Sequence, residues 1–284
     1  MVKVRTIADT TVSVPTVEGA GVHLRRAFGF HHPERYDPFL LLDDFRSDTP
    51  ADYLKGFPWH PHRGIDTITY MLQGDVEHGD SLGNSGVISD GEVQWMTAGR
   101  GIIHQEMPKG DKDGRLHGFQ LWLNLPAGEK MGPPRYRDIG AGEIPTVRLA
   151  GGVAIKIICG RIGDTVGPVT GIAADPEYLE ISVPAGCSYS HPTRPTHTAI
   201  AYVIGGSGSF APDAGQCGNT SLVLFSDGEE VRVTASGQGL RFLFFAGIPL
   251  REPIVWRGPI VMNTEEEIVQ AFQEYHNGTF LGRR

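Results

Sequence analysis

The sequence predicts an all-β protein made of two β units, each a barrel or sandwich, with a single amphipathic helix at the end. Three observations predict it. Short runs of β-branched and aromatic residues recur along the whole chain, separated by turns drawn from 38 glycines and 20 prolines. The rhythm breaks between Pro126 and Arg137, where Gly128, Gly132, Pro133 and Pro134 interrupt any strand. One segment near the end, from Asn263 onward, carries a helical apolar period. At 284 residues the chain has room for two domains of about 140 residues each. The expected division is 1–130 for a first β unit, 131–145 for a linker, and 146–284 for a second unit with the helix.

The elements follow in order. From Val2 to Phe30, β-branched and polar residues alternate, as in Thr11-Val-Ser-Val and Val22-His-Leu-Arg-Arg, and read as opening strands. Phe39-Leu-Leu-Leu-Asp-Asp-Phe is a buried strand ending at its two aspartates. Ile65-Asp-Thr-Ile-Thr-Tyr-Met-Leu is a strand closed by a turn at Gly74-Asp75, with Asp66, Ile68, Tyr70 and Leu72 on one face. Glu92-Val-Gln-Trp-Met-Thr and Leu116-His-Gly-Phe-Gln-Leu-Trp-Leu-Asn-Leu continue the series. Beyond the linker come Thr146-Val-Arg-Leu, Val153–Ile158, Tyr178–Val183, Thr198–Ile204, Leu222–Phe225, Val231–Thr234 and Leu240–Phe245. Thr264 and Glu267 stand at capping-box spacing; Ile268, Ala271, Phe272 and Tyr275 supply the helix stripe, and Gly278 its stop.

Composition narrows the partners. Forty per cent hydrophobic and 20% charged residues describe an ordinary globular protein, and a formal charge of −8 argues against a nucleic-acid backbone or an anionic membrane as the main partner. A protein that itself binds DNA is not excluded. Cys159, Cys187 and Cys217 are three, widely spaced and without a CxxC, so neither a disulfide framework nor a zinc ribbon is indicated. They read as packing residues in a reducing compartment. Met1–Asp9 has no apolar signal core and no apolar run reaches about 18 residues, so the expectation is a soluble cytoplasmic protein, or a nuclear one in a eukaryote.

Two phrases carry the chemistry. Phe57-Pro-Trp-His-Pro-His-Arg-Gly contains His60 and His62 as H-x-H, and Gly99-Arg-Gly-Ile-Ile-His-Gln-Glu-Met-Pro contains His104 and Glu106 as H-x-E. In a strand, residues two apart share a face, and Pro61 favours the extended backbone that this spacing requires. Gly99 and Gly101 mark a tight bend or a close backbone approach before the second pair. If the two strands lie together, three imidazoles and one carboxylate converge as a metal site. Such a donor set leaves open positions on an octahedral ion and suits Fe(II); Mn, Ni, Cu and Zn are accepted by the same ligands.

The flanking residues divide between functional and structural roles. Asp66 either orients a ligand histidine from the outer shell or is an ordinary solvated or salt-bridged aspartate. His117 either lines the pocket or packs in the barrel. Arg63 and Arg100 flank the ligand pairs and could hold an anionic group, though a structural ion pair is the commoner role. Phe57, Trp59 and Trp95 read as core. His31, His32, His78, His191, His197 and His276 have no convergent partners in sequence and read as surface or loop residues.

The wording of these phrases resembles a family. His60-x-His62 with a carboxylate four positions on at Asp66 and a glycine at Gly74 resembles the first cupin motif, and Gly101-Ile-Ile-His104 the second. More closely, His60-Pro-His-Arg-Gly, Gln94-Trp-Met-Thr-Ala-Gly-Arg-Gly-Ile-Ile-His, Leu121-Trp-Leu-Asn-Leu, Glu129-Lys-Met and the C-terminal passage Gly247–Ile254 with Gly258–Ile268 resemble the pirins across nearly the whole chain. The resemblance implies a bicupin of two antiparallel barrels with iron in the first, held by His60, His62, His104 and Glu106. The usual motif glutamate is aspartate here, at Asp66, which touches the outer shell and not the ligand count. The second barrel has no H-x-H and is expected to be metal-free.

The resemblance also implies two activities. One is quercetin 2,3-dioxygenase-like cleavage of a flavonol with O2 and release of carbon monoxide, in which Glu106 doubles as general base. The other is non-enzymatic: an iron-dependent redox sensor that binds a protein partner, a transcription regulator or a metabolic enzyme. A cupin that keeps its metal for stability alone ranks last, because barrels of this size bury enough apolar surface without one. An open, aromatic-lined pocket at the metal would favour catalysis, and a plugged one the regulator.

Overall fold

The computed structural model describes residues 2–212 and 214–282. The chain forms two compact units, and neither is contiguous in sequence. The first comprises Val14–Ala141 together with the chain from Leu250 onward; the second comprises the chain up to Ser13 together with Gly142–Pro249. This corrects the expected linear division. The opening strand belongs with the later unit, and the helix expected on the second barrel belongs to the first. Strand pairing explains why: an edge strand is held by whichever neighbour offers its free N–H and C=O groups, wherever that neighbour lies in the chain.

In chain order the strands are β1 (Ile7–Val12), β2 (Val14–Glu18), β3 (Val22–Phe28), β4 (Phe39–Ser47), β5 (Phe57–His62), β6 (Ile65–Gln73), β7 (Asp75–Asp80), β8 (Ser85–Ile88), β9 (Val93–Thr97), β10 (Ile102–Gly110), β11 (Leu116–Asn124) and β12 (Arg135–Ile139). In the first unit, β12-β9-β6-β11-β4-β3-β2 form a seven-stranded sheet and β5-β10-β7-β8 a four-stranded one. Their inner faces meet at Glu106 on β10, which Thr69 of β6 and Gln120 of β11 both reach. All pairs are antiparallel, as expected for a fold of hairpins and short turns. β4 runs through its two aspartates to Ser47 instead of ending there, because Asp43 and Asp44 are neutralised by Arg26 and Arg46.

The later strands are β13 (Thr146–Arg148), β14 (Ala154–Cys159), β15 (Arg161–Ile162), β16 (Thr165–Val166), β17 (Glu177–Val183), β18 (Ser188–Pro192), β19 (Thr198–Ser209), β20 (Cys217–Gly218), β21 (Ser221–Phe225) and β22 (Glu230–Gly247). The second unit is one folded-over sheet, β1-β21-β19-β22-β17-β14-β13, with β18 added on β22 and β20 on β19. Its 18-residue β22 pairs with β18 through its first half and with β17 through its second. Phe210, Phe242, Phe244 and the inward aliphatics of β14, β17 and β19 fill its interior. Arg5, buried, ties the opening segment to this unit through Thr193 Oγ1 (2.7 Å) and the carbonyls of Ser226 and Arg194 (both 2.8 Å).

The chain returns to the first unit with a hairpin, β23 (Val255–Arg257) and β24 (Ile260–Met262), and the helix α1 (Glu265–His276). The helix starts where its capping box predicts: Thr264 Oγ1 accepts from Glu267 N at 3.2 Å, and Glu267 Oε2 accepts from Thr264 N at 3.0 Å. Ile268 and Ala271 are buried against Ile260, Met262 and Phe280. Tyr275, expected in the stripe, is 37% exposed with its ring against Phe280, and Gly278 at φ +71° ends the helix. Among the described residues, no helix is long and apolar enough to cross a membrane. The architecture is therefore all-β, two units of antiparallel sheet with, among the described residues, one α-helix near the C-terminus.

Candidate metal centre

β5 and β10 pair antiparallel, with His60 opposite His104 and His62 opposite Ile102. One extra residue on β5 between Phe57 and His60 makes a bulge, which bends the strand and re-aims its side chains. There the Pro58 carbonyl accepts from His60 Nδ1 at 2.8 Å. His62 Nδ1 meets the Pro259 carbonyl at 3.0 Å. A carbonyl can only accept, so both imidazoles carry their proton on Nδ1 and turn a bare Nε2 lone pair inward.

Those lone pairs face each other. His60 Nε2 lies 3.0 Å from His62 Nε2 and 2.9 Å from His104 Nε2, and the donor atoms of the three residues all fall within 4.8 Å of one another. Two bare nitrogens at this distance repel unless a cation or a proton sits between them. Protonation is disfavoured, because burial and the neighbouring imidazoles hold His62 and His104 well below the usual histidine range. A divalent ion fits: bonds of about 2.1 Å at a right angle put two nitrogens about 3.0 Å apart. His104 Nδ1 is buried without a hydrogen-bond partner.

Glu106 keeps the parity of its strand. β10 pairs regularly with β7 across His104–Asp80 and Glu106–His78, so both side chains face inward. The carboxylate tip is held apart from the imidazole cluster: Thr69 Oγ1 donates to Oε1 at 3.0 Å, and Gln120 Nε2 donates to Oε1 and Oε2 at 3.1 and 2.8 Å. Gln120 is itself oriented by Trp122, whose Nε1–H donates to its Oε1 at 2.9 Å. The structure thus brings His60, His62 and His104 together and sets Glu106 in one cavity with His60 and His62.

That cavity encloses about 380 Å³, with His60, His62, Glu106 and Gln120 at one part of its lining and Phe30, Leu41, Phe57 and Trp122 as apolar walls. Arg26, Asp43 and Glu18 also line it. Arg26 grips Asp43 with two bonds, Nε to Oδ1 at 2.8 Å and Nη2 to Oδ2 at 2.7 Å, and reaches Glu18 Oε1 at 2.8 Å. Burial pushes the Asp43 carboxyl up to about 6 despite Arg26. Larger cavities occur in the molecule, including one of about 640 Å³ in the second unit, but they hold none of the clustered imidazoles.

Several flanking residues take other places than the sequence suggests. Asp66 neither orients a ligand histidine nor meets solvent: it is buried and accepts from Trp95 Nε1 at 2.8 Å. Burial raises its carboxyl to about 6, against the pull of Trp95 and Thr97. His117 pairs with Asp44 at 3.5 Å. Arg63 is a buried structural ion pair, 2.7 Å from Glu274, while Arg100 lies exposed. Trp95 is core as expected, Phe57 half-buried at the cavity, and Trp59, next to inward-facing His60 and so on the opposite face of β5, is 53% exposed.

Three histidines read as surface residues are buried. His78 contacts the Tyr136 hydroxyl, His191 bonds Tyr189 and Glu177 at 3.0 and 3.2 Å, and His197 lines the second unit's cavity. Tyr136 and Glu177 come from other strands, which sequence spacing cannot show, whereas Tyr189 stands two residues from His191 on β18. Thr69, Gln120 and Pro259 were missed as site residues. Gln120 and Trp122 stand two apart on one strand, a legible hint; nothing near His62 points to a carbonyl 197 residues away.

Comparison with known proteins bears on the family and the fold. The model of the family described as Pirin matches residues 21–123, and that of the Pirin C-terminal cupin domain matches 178–281. A pirin-like protein of Caulobacter vibrioides is 43% identical over 278 residues, covering 98% of this chain and 99% of that protein. A crystal structure of quercetin 2,3-dioxygenase from Acinetobacter baumannii superposes with a TM-score of 0.89 at 31% identity, covering 98% of each chain. A bacterial pirin from Escherichia coli, solved in complex with nickel(II), shares the fold at 21% identity and a TM-score of 0.66, covering 85% of this chain and all of that one. With two cupin units, a three-histidine centre in the first and matches over nearly its whole length, this chain belongs to the pirin family.

Proposed function

We propose that the protein is a metal-dependent dioxygenase that cleaves a flavonol such as quercetin with O2 and releases carbon monoxide. The observation that carries this reading is the shared cavity: a carboxylate base, two imidazoles of the three-histidine cluster and aromatic walls line one space of about 380 Å³. His60, His62 and His104 hold the ion, Fe(II) by the donor set, with Mn, Ni, Cu or Zn accepted by the same nitrogens. Glu106 is the fourth ligand in this reading. When bound, the ion supplies Lewis-acid activation of the substrate hydroxyl and a site for O2.

The protein's own groups do the rest. Phe30, Phe57 and Trp122 offer flat apolar surfaces to fused rings. Glu106 takes the proton of the flavonol hydroxyl. Its Oε1 already accepts from both Thr69 and Gln120, whereas Oε2 accepts from Gln120 alone, so Oε2 is the oxygen that receives it. Gln120 and Thr69 keep the carboxylate aimed into the cavity while the proton is held.

The test is aerobic quercetin consumption by Fe(II)-loaded protein, with carbon monoxide detected and Glu106→Gln run alongside. Turnover with carbon monoxide, lost in the variant despite retained iron, supports the reading. No turnover by fully ferrous protein sinks it.

A further inference from the structure

His62 depends on a remote piece of chain. The Pro259 carbonyl that accepts from its Nδ1 sits in the turn between β23 and β24. That hairpin is locked to the connection between β5 and β6. Val261 N donates to Arg63 O at 3.1 Å, and the buried Lys130 Nζ joins Gly64 O (2.8 Å), Val261 O (3.1 Å) and Asn124 Oδ1 (2.6 Å). Gly64, at φ +81°, lets the two backbones close: a Cβ there would lie 2.0 Å from Val261 O.

Arg63, the residue after His62, extends the lock to the helix. Its Nη2 donates to Glu274 Oε2 at 2.7 Å and to Phe280 O at 3.0 Å, its guanidinium lies 4.3 Å from the Phe280 ring centroid, and its Nε donates to Arg100 O. Arg100 precedes Gly101, whose close approach to Phe280 would place a Cβ 2.9 Å from the Phe280 carbonyl. The approaches to both ligand strands therefore rest on one C-terminal element, and Glu274 is the acidic group that neutralises the buried Arg63.

We infer that the segment from Val255 to Leu281 is a positioning element of the metal centre, with Glu274 as a positioning residue that acts through Arg63 to hold His62 in its Nδ1–H form and aimed at the ion. The inference rests on the reading of His60, His62 and His104 as metal ligands. Outer contacts of this kind fix the ring and tautomer of a ligand histidine, and losing one costs about ten- to a hundredfold in metal affinity.

The experiment compares full-length wild type, Glu274→Gln and a control, Lys3→Ala, which removes an exposed ion pair with Asp227 in the second unit. Ni(II) affinity is measured by chelator competition, apo-protein Tm by thermal unfolding, and the His62 tautomer by imidazole 15N NMR of the apo protein. The expected result for Glu274→Gln is Ni(II) binding weakened about ten- to a hundredfold, with His62 partly shifted from its Nδ1–H form. Lys3→Ala should retain wild-type affinity and tautomer. Unchanged affinity in Glu274→Gln, or a loss that Lys3→Ala reproduces, overturns the inference. Wild type that binds no Ni(II) overturns the metal-centre reading itself, a separate result. Should Glu274→Gln not accumulate folded, Glu274→Asp carries the same comparison.

Discussion

Trp122 donates its indole N–H to Gln120 Oε1 at 2.9 Å, and that bond decides which end of the Gln120 amide faces Glu106. With its carbonyl occupied, Gln120 can present only its NH2 group to the carboxylate, which it contacts at 2.8 and 3.1 Å. Two residues on one strand thereby hold the base of the cavity.

Trp122→Phe keeps the aromatic wall and the edge contact with His62, whose ring centroid is 5.1 Å away, but removes the indole donor. Gln120 is then free to turn its carbonyl toward Glu106. The expected outcome is about a tenfold fall in quercetin turnover with metal content unchanged, read from parallel kinetics and metal analysis. Equal turnover at equal metal content would mean the amide needs no such guide.

Removing the ion should leave the fold standing. The first unit's apolar clusters, around Phe45, Tyr53 and Met71 and around Leu40, Ile65 and Met96, are packed without metal ligands. Chelation should abolish activity while far-UV circular dichroism stays native, and His104→Ala should lose metal yet remain folded. Collapse of the native spectrum on chelation would assign the ion a structural role instead.

Asp66 makes a pH prediction. Its carboxyl is raised from an ordinary 3.8 to about 6 by burial, so folding favours the protonated form. The stability this contributes is fully present below about pH 4 and is lost as pH rises through about 6, a swing of about 3 kcal/mol. Asp66→Asn is neutral at every pH and can still accept from Trp95. Its urea stability should match wild type near pH 4 and exceed it near pH 7; parallel curves would refute the assignment.

Gly64→Ala should be strongly destabilising. The new Cβ meets Val261 O at 2.0 Å on a backbone already at φ +81°. We expect a loss of about 3 kcal/mol or more in chemical denaturation, and a loss under about 1 kcal/mol would show that the hairpin can shift aside.

Much of this was legible in the residues. Period-two alternation marked the strands, the Thr264–Glu267 box marked the helix start, and the H-x-H and H-x-E parity survived into β5 and β10. These features are local: each depends on residues a few positions apart and on backbone geometry that the side chains themselves prefer. The bulge in β5 between Phe57 and His60 was less so, since it reflects the register between two strands.

By itself, then, the sequence determined the β class, the single helix and the identity of the imidazoles that converge, because strand parity and capping act over short range. Only the tertiary structure decided that the opening strand and the C-terminal segment change places between units. It alone decided that Asp66 answers to Trp95 and that the proton on His62 is set by Pro259. Those contacts join groups far apart in the chain, and a hydrogen bond or a close backbone approach selects its partner by position in space, which local pattern does not encode.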